Sequence, residues 1–318
     1  MIGQSELEQA IAILRQGGLV AFPTETVYGL GADARNPLAL RKVFAAKERP
    51  VDHPLIVHLA DKTELSEWAV NVPASAWQLA EAFWPGPLTL ILQKAPGVSD
   101  LVTGQQETIG LRVPNHPVAQ ALLQAFGSGL AAPSANRFGR ISPTTAAAVA
   151  EELTDAVDFI LDGGQCAVGV ESTIVDMTGD YPAILRPGMI TAAQIEKVLH
   201  QSVMLPTKQS PRVSGSLESH YAPRTPTRLI SSIDIAGFLK NVNAADLPVA
   251  ILTYNQSEVQ KEGVEWIAMP NDANQYAHDL YQTLRMLDAR GFRQLIVESV
   301  PEKAEWDAIR DRLQRASY

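Results

Sequence analysis

The chain has 318 residues, 46% apolar and 19% charged, with a formal net charge of −9 and a mean hydropathy of −0.02. That composition is globular. It excludes disordered, collagenous and coiled-coil chains, and no apolar run approaches the roughly 18 residues of a membrane span. The acidic balance argues against a protein whose main task is coating nucleic acid, which needs clustered Lys and Arg.

At roughly 100–200 residues per domain, the length fits two domains or one large one. A single cysteine, Cys166, can make neither an internal disulfide nor a zinc site. The N-terminal stretch carries acids before its apolar positions and lacks a basic n-region. A signal peptide is therefore not expected, and a cytoplasmic location is. The charge is uneven: residues 1–205 hold 13 Lys and Arg against 21 Asp and Glu, and residues 206–318 hold 13 against 14.

Taken in order, Ser5-x-x-Glu8 reads as a capping box, with Leu7, Ile11 and Leu14 at helical spacing and Gly17-Gly18 as the stop. Residues 19–22 form a short strand. The stretch 23–36 (PTETVYGLGADARN) is expected as a loop, too rich in Gly, Thr and Pro for a regular element. Asn36-Pro37 starts a helix to about Ala46. Strands are expected at 54–60, 87–93 and 108–113, with a further strand in 129–136 that runs into a loop. Helices are expected near 62–69, 75–84, 116–125 and 144–153. Three strands with tight turns fill 159–188, and a helix at 191–199 closes the block.

Residues 206–226 are basic, rich in Pro and Ser, and aperiodic. They are expected either as a solvated linker between two domains, 1–205 and 227–318, or as a segment lying over an anionic ligand. In the small domain, strands at 227–230, 249–253, 264–268 and 294–298 alternate with helices near 234–240, 274–289 and 303–314. The expected architecture is α/β, with the small domain a Rossmann-like unit on a largely parallel sheet.

The usual catalytic signatures are missing. There is no G-x-x-x-x-G-K-[ST], H-E-x-x-H or G-x-S-x-G. Gly29-Leu30-Gly31-Ala32-Asp33-Ala34 has the shape G-x-G-x-x-A but lacks the strand and helix context of a dinucleotide site. Cys166 reads as a small buried residue.

What remains is a set of polar residues at strand ends. Lys47 and Arg49 follow a helix, where they either complement its dipole or clamp phosphates. Arg112 lies inside an apolar strand and Arg186 ends another. Each is either an edge-strand surface residue or an anion receptor. Thr24, Thr26, Thr108, Ser134, Ser142, Ser172 and Thr173 lie at strand ends or in loops, each by itself a turn or cap residue. Together with the strand-end cations they resemble a site for a polyanion and a small polar substrate, acting by positioning and charge stabilisation.

Seven ordered segments closely resemble the YrdC-like family: 23–34, 47–58 (KERPVDHPLIVH), 84–92 (WPGPLTLIL), 110–117 (GLRVPNHP), 132–144 (APSANRFGRISPT), 169–176 (GVESTIVD) and 184–191 (ILRPGMIT). The HYAP element at 220–223, followed by a small α/β domain, is similar to the long, two-domain threonylcarbamoyl-AMP synthases. The resemblance implies that 1–205 is a catalytic domain, a twisted mixed sheet with helices around a concave site, and that 206–226 is an active-site lid. It also implies that L-threonine, bicarbonate and ATP give L-threonylcarbamoyladenylate and pyrophosphate. The product then serves modification of the adenosine beside the anticodon in tRNA.

The resemblance places Thr26, His58, Arg112, Ala132 and Ser172 on the threonine side. It places Lys47, Arg49, His53, Thr108, Ser134, Ser142, Arg186 and Tyr221 on the ATP side. Lys47, Arg49 and Arg186 are expected to stabilise charge, and no residue stands out as a general base. Mg²⁺ is expected to enter with ATP, without a metal site made by protein alone. A transient contact with the downstream transferase complex is implied, and stable nucleic-acid binding is not.

Two departures stand out. His53 replaces the usual Asn or Ser, which brings in a charge that varies near pH 6–7. The linker reads SPRVSGSLESHYAP where many long forms carry S-P-G-M-[KR]. Three other readings compete: an RNA-gripping module of the same fold, a carbamoyl-phosphate-using relative, and a regulatory relative without synthesis. Net charge disfavours the first. The lone cysteine excludes the zinc-finger segments of the second. The full threonine-side set disfavours the third.

Overall fold

The computed structural model describes residues 3–215, 219–255 and 261–317. It divides into two compact units, 1–138 with 142–216, and 139–141 with 217–318. The expected linker 206–226 is therefore shared between the units.

The first unit is built on nine strands: β1 (Val20–Phe22), β2 (Gly29–Asp33), β3 (Ile56–His58), β4 (Leu88–Gln93), β5 (Thr108–Arg112), β6 (Leu130–Ala131), β7 (Phe159–Ile160), β8 (Thr173–Asp176) and β9 (Ala183–Arg186). Their order is β7-β1-β2-β6-β3-β5-β4-β8-β9. The pairs β1–β7, β3–β5 and β4–β8 are parallel and the others antiparallel, so the sheet is mixed. A large apolar cluster that includes Leu40, Phe44, Leu79, Leu90 and Leu111 packs the helices on it.

Two local expectations are corrected. The first helix, Gln4–Arg15, starts three residues into the chain and is capped at Gly3, whose N–H donates to Glu6 Oε2 at 2.7 Å. Ser5 and Glu8 lie inside this helix and do not form its capping box. The second correction is β2, which occupies part of the expected loop. The Gly-x-Gly spacing that suggests a loop here serves close packing. A Cβ on Gly31 would lie 2.7 Å from the Phe22 ring, and one on Gly29 would lie 3.2 Å from the Ala132 Cβ. Small residues let β2 pair with β1 and β6. The G-x-G-x-x-A segment is thus a strand and not a phosphate-binding turn.

The helix Pro37–Lys47 follows its sequence signals closely. The Asn36 side chain accepts from the N–H groups of Leu38 and Ala39, and Pro37 supplies the first turn. Its buried face carries Leu40, Val43, Phe44 and Lys47. At that spacing the apolar stripe itself carries Lys47 inward.

The second unit has strands β10 (Thr227–Ile230), β11 (Val249–Thr253), β12 (Val264–Ala268) and β13 (Gln294–Glu298), all parallel, in the order β10-β13-β11-β12. Glu298, at the end of β13, is buried. Burial pushes its carboxyl up, but hydrogen bonds from Ser232, Thr253 and Asn255 outweigh that and hold it below the usual carboxylate range.

Gly31→Ala should destabilise the protein by about 1–3 kcal/mol, because Phe22 has to move. Urea denaturation of wild type and variant measures this. An unchanged midpoint would show that the ring yields freely.

Candidate active site

The site lies in the first unit. Arg112 ends β5, and its Cα partner across the parallel β3–β5 pair is His58. The Arg112 guanidinium is 4% exposed. Its Nε donates to Gly86 O at 3.3 Å and its Nη1 to Thr26 Oγ1 at 2.9 Å. Its Nη2 lies 2.7 Å from Glu25 Oε1. The edge-strand reading of Arg112 is therefore excluded.

Thr26 is held in turn by Thr24. The Thr24 hydroxyl donates to Val27 O at 2.7 Å and accepts from the N–H groups of Thr26 and Val27. The two threonine hydroxyls lie 2.8 Å apart. Either hydroxyl can be the donor in that pair.

A second group gathers Lys47, Arg49 and Arg186. Lys47 Nζ donates to Ser134 O and Asn136 O. Burial first, and Arg49 second, push its amine well below the usual range. Arg49 donates to Pro54 O at 2.9 Å and to Ser214 Oγ at 3.1 Å. Arg186 grips Ser172, with Nη2 at 2.9 Å from its carbonyl and 3.1 Å from its hydroxyl, and its Nη1 donates to Ser214 O at 3.0 Å. Two expected cations and the strap residue Ser214 therefore meet. Val213, beside Ser214, packs with Ile91, Ile174, Ala183 and Leu185. Residues 212–214, Thr108 and Gln106 line a small, half-open pocket over β5.

The other expected residues are placed as follows. Ser142 donates to Glu171 Oε1 at 2.5 Å, with both side chains buried. Ala132 is buried against β2. Ser134 pairs in an isolated bridge with Gly29. His53 is half-buried, edge-on to the Phe138 ring at 5.1 Å. Burial, then Arg49, lower its pKa from the usual 6.5, so its charge change moves downward from there. Tyr221 lies in the second unit, with a φ of 60°. There it stacks on Tyr281 at 5.8 Å, and Arg312 sits 5.1 Å above its ring.

Three residues escaped the sequence reading. Glu25 stands at the variable position of P-T-x-T, where a lone acid among Thr and Pro was its only signal. Glu171 sits beside the expected Ser172. Ser214 lies in the aperiodic linker. Cys166 is buried, which pushes its thiol up to about 12 and leaves it a poor nucleophile. Among the described residues no group of three or more His, Cys, Asp or Glu could hold a metal ion. No helix among them is long and apolar enough to cross a membrane.

Residues 12–188 match the Sua5/YciO/YrdC family model, described as "Telomere recombination". Residues 190–317 match the threonylcarbamoyl-AMP synthase C-terminal domain. The threonylcarbamoyl-AMP synthase of Pyrococcus abyssi is 36% identical, over 99% of this chain and 95% of that protein. The Bacillus subtilis one is 39% identical, over 98% of this chain and 93% of that protein. The crystal structure of P. abyssi Sua5 complexed with L-threonine superimposes with a TM-score of 0.92 at 34% identity, covering 100% of this chain and 95% of that one. Fold and site together define a two-domain α/β enzyme with a buried basic face. The chain belongs to the threonylcarbamoyl-AMP synthase family, tRNA-modifying transferases of the nucleotidyltransferase type.

His58 gives a test of this electrostatic picture. Burial first, and Arg112 second, lower its pKa from 6.5 to about 3. Between those values the unfolded chain binds a proton that the folded chain refuses. Its contribution to stability is present above pH 6.5 and is lost as pH falls, by about 1.4 kcal/mol per unit. The stability gap between wild type and His58→Gln should therefore shrink by that slope from pH 6.5 towards 4, measured by denaturant titration. A constant gap would mean that the folded ring titrates normally.

Proposed function

We propose that this chain makes L-threonylcarbamoyladenylate from L-threonine, bicarbonate and ATP, releasing pyrophosphate, and that the product supplies the threonylcarbamoyl group for the adenosine beside the anticodon in tRNA. The observation that carries the reading is the division of the buried cations. Arg112 stands with Thr26 and His58, while Arg49 and Arg186 converge on Ser214. A single guanidinium suits an amino-acid carboxylate, and a group of cations suits a triphosphate.

In the first step the threonine ammonium and bicarbonate give the N-carboxylate, water and one proton. A carbamate oxygen then attacks the α-phosphorus, forming the P–O bond as the bond to pyrophosphate breaks. Lys47, Arg49 and Arg186 face the charge that builds on the phosphates, and Mg²⁺ arrives as part of the ATP substrate. Threonine contacts fall to Thr26, His58, Arg112, Ala132 and Ser172. Thr108, Ser134, Ser142 and a neutral His53 serve the nucleotide, with Tyr221 as a closing residue.

The strap 212–215 supports a lid role, because Ser214 touches both Arg49 and Arg186. The reaction is read as cytoplasmic, with the product handed to a separate transferase.

The direct assay mixes protein with ATP, Mg²⁺, bicarbonate and L-threonine. Pyrophosphate and the labile adenylate, followed by mass spectrometry, should require both threonine and bicarbonate. ATP binding without adenylate under any condition would overturn the reading. Arg112→Ala removes a charged hydrogen bond worth roughly 1.5–3 kcal/mol, so threonine affinity should fall about 10- to 150-fold. ATP affinity should fall much less, and equal loss for both would remove Arg112 from the threonine side.

A further inference from the structure

Glu25 is a buried ionisable group, in contact with Arg112, to which the proposed reaction gives no task. It is 6% exposed, and its position is fixed from three sides. Its backbone carbonyl accepts from Val168 N at 2.7 Å, its Oε2 accepts from Asn115 N at 3.0 Å, and its Oε1 lies 2.7 Å from Arg112 Nη2. The carboxylate is therefore held in one orientation, beside the guanidinium expected to receive the substrate carboxylate.

Counting donors and acceptors shows what this corner can bind. Arg112 has five N–H groups. Gly86 O and Thr26 Oγ1 account for two of them, on Nε and Nη1. Nη2 lies in ion-pair contact with Glu25 Oε1 at 2.7 Å, but neither buried atom has a hydrogen-bond partner. That leaves one N–H on Nη1 and both on Nη2 for a ligand. Thr26 Oγ1 accepts from Arg112 and shares a hydrogen bond with Thr24 in which either hydroxyl can donate. Glu25 Oε1, as a carboxylate oxygen, only accepts. The corner thus presents guanidinium donors beside a charged acceptor, with the Thr26 hydroxyl next to both.

This pattern is the complement of an α-amino acid, whose ammonium and carboxylate share one carbon. A simple anion on Arg112 would meet Glu25 as a like charge. We propose that Glu25, with Thr26 beside it, receives the α-ammonium of the amino-acid substrate, so that the Arg112–Glu25 pair selects a zwitterion over other carboxylates. This rests on the L-threonine reading above. It also fixes the reacting nitrogen on the side of Arg112 where Glu25 and Thr26 lie.

The bland alternative is that Glu25 merely neutralises Arg112. The two differ in what they do to ligands with and without the amine. The experiment is calorimetric titration of the full chain with L-threonine and with (R)-3-hydroxybutanoate, the same acid lacking the amine. Wild type should prefer threonine. Glu25→Gln should lower threonine affinity about 10- to 100-fold and leave the amine-free acid unchanged or tighter, collapsing the ratio of the two. Glu25→Asp, which keeps the charge, should restore much of that ratio.

The ratio is the readout, so a general loosening of the site cancels out, and ATP affinity checks the fold of each variant. Equal losses for both ligands in Glu25→Gln, or an unchanged ratio, would overturn the role. Wild type that binds ATP but not L-threonine would instead overturn the proposed substrate, a result distinct from any variant effect.

Discussion

Three guanidinium groups and the Lys47 amine, buried in the first unit, set the terms for the loops around them. Lys47, Arg49, Arg112 and Arg186 are between 1% and 7% exposed. A charge taken out of water needs its hydrogen bonds met or it is driven to the neutral form. Backbone carbonyls help to meet that need at every one of the four: Ser134 and Asn136 for Lys47, Pro54 for Arg49, Gly86 for Arg112, and Ser172 and Ser214 for Arg186. These carbonyls come from Pro- and Gly-rich segments between strands, whose backbone is not used up by the ladder. A carbonyl accepts a hydrogen bond without cancelling the charge behind it. The result is a preorganised positive face in a low dielectric, the kind of environment that acts on a developing anion without having to reorganise.

The strap fits the same logic. Ser214 offers both a hydroxyl and a carbonyl, and Arg49 and Arg186 each take one. The Ser214 hydroxyl also donates to Pro54 O, itself an acceptor of Arg49. Val213 adds apolar contact with Ile174 and Leu185. The strap is thus an internal polar ligand for two guanidinium groups. Each of these bonds has a charged donor and a neutral acceptor, and contributes about 1.5–3 kcal/mol net; a phosphate oxygen adds the attraction of a second charge. The strap therefore satisfies the guanidinium groups without neutralising them.

The elements legible from the sequence were those with period and punctuation. Asn36-Pro37 opened its helix as read, and all four strands of the second unit fell on their apolar runs. β2 was hidden because glycine scores as loop by itself and as strand only when Phe22 lies across it. The first capping box was misplaced because Gly3 holds Glu6 through backbone alone, which no side-chain motif signals. At the site, the cations were visible as charges interrupting apolar strands. Glu25 was not visible, since its importance arises only when folding brings residues 25 and 112 to 2.7 Å. Ser214 was hidden for a similar reason: its partners are 165 and 28 residues away.

The Arg112–Glu25 pair is a poor candidate for a stability element. Replacing a buried ion pair by well-packed apolar residues is often neutral or stabilising, because the desolvation cost offsets the attraction. Arg112 lies on β5 next to Leu111 and across from His58, on a strand whose other buried residues are apolar. What an aliphatic residue lacks is direction. The pair fixes one donor edge and one acceptor edge at a known separation, and the Thr26 hydroxyl lies beside them, bonded to Arg112 and to Thr24. His58, held neutral beside them, adds polarity without a third charge. A corner with one positive and one negative charge repels neither half of an amino acid and disfavours any ligand that carries only one of them. Selectivity of that kind has to be built from a costly pair, because an apolar wall cannot tell the two ends of a zwitterion apart.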